Sequence, residues 1–200
     1  MSKKVLAIMG SYRKDGINDQ TVDAILGEAR DKGAETKKIY LTDVSIDFCR
    51  NCRTCAKDDP AKSRGACVMT DDMEKLLKEI DAADALILAS PINMSTVTAV
   101  MKRFLERLIV YSYWPWGQQG PRMRSSRKTK TAAIVTSSAS PALIGRILMP
   151  NALQVLKSAA GLVGAKVVGT IYFGMVNMEE KQRLNPRHLA IAHAVAEKLV

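Results

Sequence analysis

Aromatic residues are scarce, at 5% of the 200 residues, and long apolar runs are absent. A membrane-spanning helix needs about 18 consecutive apolar residues, and no stretch reaches that length. The segment Met1 to Met9 lacks the apolar core and cleavage site of a signal peptide. No repeat of fixed period is present, which excludes solenoids. We therefore expect a cytoplasmic protein without a membrane partner.

The remaining composition is that of a globular protein, with 47% apolar and 25% charged residues. The length predicts a single domain over residues 1–200. The net charge is +10, with a local concentration of Arg and Lys between Arg122 and Lys130. This stretch is either a solvated loop or a site for a cofactor phosphate or an acidic partner. Nucleic acid is not expected as a partner, because no DNA-binding helix motif or aromatic–basic interleaving accompanies the charge.

Short apolar runs alternate with segments of helical periodicity. The predicted strands are residues 5–9, 37–41, 85–89, 132–135 and 167–171. The predicted helices cover residues 22–29, 73–80, 97–108, 141–163 with a break at Pro150, and a last segment from Pro186. Strict alternation predicts a parallel sheet with helices on both faces, and ligands bind such sheets at the carboxyl ends of the strands.

Residues 10–21 join the first predicted strand to the first helix and carry groups that suit a phosphate. Hydroxyls, an amide, a cation and flexible glycines precede a helix N-terminus there. The loop matches neither the dinucleotide fingerprint nor the nucleoside-triphosphate loop. A structural turn and a phosphate-binding loop both remain open from composition alone. The candidate binding residues are Ser11, Arg13, Gly16, Asn18, Asp19, Gln20 and Thr21.

Three segments resemble one protein family. Gly10-Ser11-x-Arg13, followed by Gly16 and Asn18, is similar to the phosphate loop of NAD(P)H-dependent FMN reductases and iron–sulfur flavoproteins. Ser90-Pro91-Ile92-Asn93 resembles the loop that lies against the flavin ring in that family. The segment 102–107, Lys-Arg-Phe-x-Glu-Arg, matches its next helix in spacing. This chain differs in a phosphate loop one residue longer and in Asn93, where the family commonly has an aromatic residue.

The resemblance implies a flavodoxin-like three-layer α/β sandwich with a five-stranded parallel sheet in the order 2-1-3-4-5. It implies FMN as cofactor, with NAD(P)H as electron donor and a quinone, flavin or other small molecule as acceptor. No catalytic side chain is required, because the flavin performs the redox chemistry. Family members commonly form homodimers or homotetramers. The residues implied to contact the flavin ring are Pro91, Ile92, Asn93, Met94, Ser137, Ser138 and Ala139. Ser137 and its neighbours also suit helix capping ahead of Pro141.

All four cysteines lie in one loop, residues 49–67, as Cys49-x2-Cys52-x2-Cys55-x11-Cys67. Closely spaced cysteines of this kind bind iron–sulfur clusters, and iron–sulfur flavoproteins carry a compact motif at this place in the fold. A 4Fe–4S cluster, zinc, and free or redox-active thiols are the competing interpretations. The cluster interpretation makes all four residues metal ligands and predicts an alternative function, an iron–sulfur flavoprotein that carries electrons between protein partners.

Two further segments have alternative interpretations. Tyr111 to Gly117 holds four of the ten aromatic residues and is either a packed lid or interface, or an aromatic wall over the flavin. Asp71 and Glu74 have the spacing of a capping box at the start of the second helix. His188 and His193 have no metal or nucleophile partner in sequence and are interpreted as structural or surface residues.

Overall fold

The computed structural model describes residues 2–200. In chain order the elements are β1 (Lys4–Met9), α1 (Ile17–Asp31), β2 (Glu35–Tyr40), α2 (Thr54–Lys57), α3 (Met73–Ala82), β3 (Ala85–Asn93), β4 (Thr96–Val97), α4 (Ala99–Arg107), β5 (Ser112–Tyr113), β6 (Arg122–Met123), β7 (Lys130–Ser137), α5 (Ala142–Leu148), α6 (Asn151–Leu162), β8 (Ala165–Phe173) and α7 (Pro186–Leu199). A short 3-10 helix, Leu108–Tyr111, follows α4 and is not numbered with the α-helices.

Five strands form the central parallel sheet in the order β2-β1-β3-β7-β8. Counted among these strands alone, this is the predicted order 2-1-3-4-5, which is confirmed. The chain reverses its direction of travel across the sheet between β1 and β3. Ligands of open parallel sheets bind at such a point, beyond the carboxyl ends of the strands. The charged run at 37–41 forms most of β2, an edge strand as predicted.

Each face of the sheet is covered by helices, because alternate side chains of the buried strands point to opposite sides. On β1, Leu6 and Ile8 join a cluster with α3, α4 and α6, whereas Val5, Ala7 and Met9 join a cluster with α1 and α7. Burial of each large aliphatic side chain contributes about 1.5–3 kcal/mol. This two-sided packing explains why the strand sequences are continuously apolar.

The structure differs from the sequence prediction at the end of the third strand of the sheet, β3. β3 continues through Asn93, and its last residues pair with β4, so Pro91 to Asn93 lie in a hairpin arm rather than a loop. Met94 and Ser95 turn the hairpin with φ of +46° and +65°. The break at Pro150 is confirmed, since α5 ends at Leu148 and α6 begins at Asn151.

The predicted capping box of α3 is wrong. The N-cap residue is Asp72, and its side chain makes no capping hydrogen bond. Asp71 accepts the backbone N–H of Met73, but Glu74 is turned away to pair with Arg64 at 2.8 Å. Tertiary partners for both carboxylates therefore replace the local pairing. Within residues 2–200, none of the helices has the length and apolar character needed to cross a membrane.

Candidate functional site

Buried hydroxyls tie together the carboxyl ends of β1, β3 and β7. The Thr98 hydroxyl donates to the Gly10 carbonyl, and the Thr98 backbone N–H donates to Ser90 Oγ at 3.1 Å. The Thr136 hydroxyl donates to the Ser90 carbonyl at 2.8 Å. Thr98, Ser90 and Thr136 are fully buried. The three loops that leave these strands are consequently held at one edge of the sheet.

The first of these loops, residues 10–16, turns tightly into α1. Ser11 is buried, and its hydroxyl accepts the Arg13 N–H at 3.1 Å and donates to the Arg13 carbonyl at 3.0 Å. A Cβ atom at Gly10 would lie 2.6 Å from Met101 Cβ, so only glycine lets this loop approach α4. The Arg13 side chain is exposed at the loop surface.

Asn18 is the polar group of this loop that lacks a partner. It lies in the first turn of α1 and is 4% exposed, yet within residues 2–200 its side-chain oxygen and nitrogen find no hydrogen-bond partner. An unpaired buried amide is costly, about 1–3 kcal/mol, unless a ligand completes it. The helix N-terminus adds unpaired backbone N–H groups and a partial positive charge. This arrangement suits an anion such as a phosphate.

Three neighbouring candidates have their side chains engaged within the protein. Thr21 donates its hydroxyl to the Ile17 carbonyl at 2.6 Å, inside the helix. Gln20 donates to the Gln182 carbonyl at 3.0 Å, which ties the loop to the segment before α7. Asp19 is buried among donors from β2 and from the loop itself. These three side chains and the Ser11 hydroxyl therefore shape the loop, whereas the buried Asn18 amide finds no partner within residues 2–200.

The two segments implied to hold a flavin ring lie side by side. Pro91 on β3 is paired in register with Ser137 on β7, so the β3–β4 hairpin and the loop after β7 leave the sheet together. Met94 at the hairpin tip is 96% exposed, and Asn93, Ile92 and Ala139 are also accessible. This pair of segments forms an open wall beside the phosphate loop.

Ser138 has a structural partner at the base of that wall. Its hydroxyl accepts from the Tyr172 hydroxyl at 3.0 Å and donates to the Ser140 carbonyl at 3.1 Å. A Cβ atom at Gly145 would meet the same tyrosine hydroxyl at 2.0 Å. The turn after β7 is thus held in place from β8. The Ser138 backbone N–H also donates to the Phe173 carbonyl at 2.9 Å, and the Ser138 carbonyl accepts the Val176 N–H at 3.3 Å, whereas Ala139 is exposed.

In the cysteine loop, Cys55 is buried in α2. All four cysteines are free thiols, with Cys52 exposed and Cys49 and Cys67 half-buried. Burial, followed by the charges of Cys67, Cys49 and Cys52, raises the pKa of Cys55 to about 11. Across residues 2–200 no three Cys, His, Asp or Glu side chains are arranged to hold a metal ion. The soft donor set fits an iron–sulfur cluster in chemistry, and the ligand geometry for one is not formed.

A buried ion pair between Arg107 and Asp71 links the two ends of the cysteine loop. Arg107, at the end of α4, is 2% exposed and donates to Asp71 Oδ2 at 2.6 Å, to the Asp47 carbonyl at 2.9 Å and to Cys67 Sγ at 3.5 Å. Asp71 in turn accepts the Asp47 N–H at 2.9 Å. Burial acts to raise the pKa of Asp71, but the hydrogen bonds from Arg107 and from the Asp47 and Met73 N–H groups together outweigh it, and the pKa is lowered. Both ends of the cysteine loop are therefore fastened to one charge pair.

The aromatic segment packs on the cysteine loop. The Arg53 guanidinium lies between Trp114 and Trp116, 3.5 and 4.4 Å from their ring centroids. The Trp114 backbone N–H donates to the Ala56 carbonyl at 2.7 Å. Arg124 donates to the Cys55 carbonyl at 2.9 Å, among several carbonyls of the loop and its neighbour. This part of the basic stretch at 122–130 is therefore used inside the protein.

Sequence reasoning missed several residues that position the site. Thr98 had a detectable signal, since a threonine directly before an apolar helical run is a preferred N-cap, and it does cap α4. Thr136 and Tyr172 had none, because their partners lie 34 or more positions away along the chain. Arg107 ends the helix motif noted in the sequence, but its partner Asp71, 36 positions away, could not be inferred from that motif. Their roles follow from tertiary contacts.

Solved structures share this architecture over nearly their whole length. The azoreductase AzrA has a TM-score of 0.71 at 16% identity, covering 98% of this chain and 99% of its own. An FMN-dependent NADH-azoreductase from Bacillus anthracis, solved with FMN, has a TM-score of 0.68 at 12% identity, covering 100% of this chain and 98% of its own. The fold is therefore flavodoxin-like, as predicted.

A profile of the NADPH-dependent FMN reductase family matches residues 3–180, and the chain belongs to this oxidoreductase family. An iron–sulfur flavoprotein of Archaeoglobus fulgidus is 38% identical over 112 residues, 56% of this chain and 48% of that protein. Another, from Methanocaldococcus jannaschii, is 34% identical over 104 residues, 52% of this chain and 51% of that protein. The chain thus spans about half the length of these curated relatives. The resemblance inferred from the motifs is confirmed.

Proposed function

We propose that the protein binds FMN and passes electrons from NAD(P)H through the flavin to a small-molecule acceptor such as a quinone or a free flavin. The unpaired, buried Asn18 amide at the N-terminus of α1 is the observation that carries this proposal. It lies at the carboxyl edge of the sheet, in the family's phosphate loop, with the hairpin of β3 and the loop after β7 alongside.

Different residues of this chain would bind the phosphate and the ring of FMN. Ser11, Asn18 and the backbone N–H groups that start α1 would hold the phosphate, and Arg13 would balance its charge. The backbone of residues 91–94 and 137–139 would line the ring. When bound, FMN accepts a hydride from a nicotinamide and gives up electrons to an acceptor. The protein then contributes binding, orientation and local electrostatics, and no acid or base side chain is assigned.

Replacing Asn18 with alanine is expected to weaken FMN binding by about 1.5–3 kcal/mol, since a hydrogen bond to a charged phosphate is lost. The free protein is expected to keep or slightly increase its thermal stability, because Asn18 has no partner within residues 2–200 to lose. Flavin fluorescence titration gives the dissociation constant, thermal melting the stability, and NADH or NADPH oxidation the activity.

Asn151 provides the matched control, as an exposed asparagine that begins α6. Asn151→Ala should leave FMN affinity unchanged. If the wild type and Asn18→Ala bind FMN with equal affinity, Asn18 does not contact the phosphate. A wild-type protein that binds no FMN would refute the proposed function.

A second candidate function is that of an iron–sulfur flavoprotein carrying electrons between protein partners. It is favoured by the location of all four cysteines in one loop, residues 49–67, and by the names of the curated relatives. Cys49, Cys52, Cys55 and Cys67 would be the ligands of a 4Fe–4S cluster, and zinc or free thiols are the competing states.

Anaerobic purification separates these states. A cluster predicts about four irons per chain and broad absorbance near 400 nm. Cys52→Ser is then expected to lose the iron and keep FMN, whereas Lys57→Ser, in the same loop, should keep both. A yellow protein without iron that oxidises NAD(P)H supports the reductase alone, and stoichiometric zinc would refute the cluster.

We also propose that the protein is cytoplasmic and forms a homodimer or homotetramer. Exposed apolar side chains on α5 support self-association, since contiguous apolar surface is uncommon on monomers. They are Leu143, Ile144, Ile147 and Leu148. Sedimentation velocity with Leu148→Glu tests this, and an unchanged sedimentation coefficient would place any interface elsewhere.

A further inference from the structure

Asp19 carries a buried carboxylate next to the phosphate loop. It follows Asn18 in the first turn of α1 and is 3% exposed. Its carboxylate accepts hydrogen bonds from Lys38 Nζ at 2.8 Å, from the Tyr40 hydroxyl at 2.7 Å and from the Asp15 N–H at 2.6 Å. The end of β2 and the phosphate loop therefore meet at one carboxyl group.

The contact with Asp15 controls the shape of the loop. Asp15 has a φ of +61°, a left-handed conformation that a non-glycine residue adopts only at some cost. The Asp19 carboxylate stabilises this conformation by accepting the Asp15 N–H. The Gln20 side chain stabilises it further by donating to the Asp15 carbonyl at 2.8 Å. These two hydrogen bonds therefore hold the loop backbone at Asp15 in one conformation before a ligand binds.

The contact with Lys38 controls the charge of the loop. A bare carboxylate in the first turn of α1 would repel a phosphate bound at the same helix end. The Lys38 side chain is 17% exposed and lies between Asp19 and Asp23, 2.8 and 2.6 Å from their oxygens. Burial acts to lower the pKa of Lys38, but both carboxylates outweigh it and the pKa is raised. Lys38 therefore stays charged and screens Asp19.

We propose that the Lys38–Asp19–Tyr40 network positions the phosphate loop, and that Lys38 determines its preference for a phosphorylated flavin over riboflavin. This inference rests on the proposed FMN site. None of the three side chains needs to touch the flavin: Asp19 sets the backbone of the loop, Lys38 cancels the charge of Asp19, and Tyr40 orients the carboxylate.

Riboflavin separates this role from a general effect on folding, because it has the same ring as FMN and no phosphate. The experiment measures the dissociation constants of FMN and of riboflavin for the full-length protein and its variants. Lys38→Met is expected to weaken FMN binding about 10- to 100-fold, since the Asp19 charge is left uncompensated, and to change riboflavin binding less than about threefold. Asp19→Asn is expected to weaken FMN binding about three- to tenfold.

The double variant Asp19→Asn/Lys38→Met tests the charge argument directly. Once Asp19 is neutral, removal of Lys38 should cost FMN binding less than about threefold beyond Asp19→Asn alone. Lys37→Met is the matched control, because Lys37 lies on the same strand, is exposed and pairs with Glu79. It removes the same charge and should leave both dissociation constants unchanged.

Several results would overturn the inference. Equal losses for FMN and riboflavin in Lys38→Met would mean a purely structural role, and additive losses in the double variant would refute the charge argument. Tyr40→Phe, which removes a single hydroxyl, tests the network should Lys38→Met fold poorly; it should weaken FMN about two- to fivefold and spare riboflavin. A wild-type protein that binds riboflavin as tightly as FMN contradicts the phosphate site itself, and this inference with it.

Discussion

Replacing Arg107 with methionine is expected to lower the free energy of unfolding by about 3–5 kcal/mol. The reason is that the Asp71 carboxylate, 7% exposed, loses the partner that compensates its burial. The same change frees the Asp47 carbonyl and the Cys67 thiol, so both ends of the cysteine loop lose their attachment to α4. Urea denaturation followed by circular dichroism measures the effect.

The double variant Arg107→Met/Asp71→Leu should recover part of the lost stability, because no unpaired charge then remains buried. Lys102→Met is the matched control, since Lys102 lies on the same helix and pairs with Glu106 on the exposed surface. It should change stability by less than about 0.5 kcal/mol. If Arg107→Met changes stability no more than Lys102→Met does, the ion pair does not close the loop.

Replacing Gly65 with alanine is expected to lower the free energy of unfolding by about 3 kcal/mol through overpacking. A Cβ atom at this position would lie 1.8 Å from the Cys55 carbonyl oxygen, which is backbone and held by Arg124. The Gly65 N–H also donates to the Val110 carbonyl at 2.8 Å, so the residue cannot simply move away. The variant should open the cysteine loop around α2.

Thiol reactivity gives a second measurement of that opening. Cys55 is 6% exposed and is expected to be the slowest of the four thiols to react with Ellman's reagent. In Gly65→Ala this slow phase should accelerate. Gly27→Ala is the control, because nothing lies within 4 Å of its Cβ position in α1; it should raise stability by about 0.5–1 kcal/mol. A slow phase unchanged in Gly65→Ala would mean that the loop tolerates the methyl group.

The sheet could be predicted because its signal is local. The run from Val5 to Met9 is apolar at every position, and a strand buried on both faces needs nothing more to be recognised. The same holds for Ala85 to Ala89, and strict alternation with helices makes the connections parallel. The candidate phosphate loop was predicted from Gly10, Ser11 and Arg13, which lie close together in sequence.

The environment of individual candidates could not be predicted in the same way. Asn18 and Asp19 are adjacent polar residues, yet among the described residues Asn18 finds no partner, whereas Asp19 is enclosed by donors from β2. Asp71 and Glu74 have capping spacing, yet Arg107 and Arg64 draw their carboxylates elsewhere. The Arg107–Asp71 pair at 2.6 Å is buried and the Arg64–Glu74 pair at 2.8 Å is partly exposed, and only the packed chain brings either pair together.

The sequence by itself determined the order of strands and helices, the parallel sheet, the edge at which a ligand would bind and the loop that holds the four cysteines. These features depend on apolar periodicity and on residues near one another in the chain. Tertiary structure alone decided which polar side chains brace the loops and which are left without a partner within residues 2–200. The reason is physical: hydrogen bonds and ion pairs form between groups that folding brings within about 3 Å, and sequence spacing does not encode that distance.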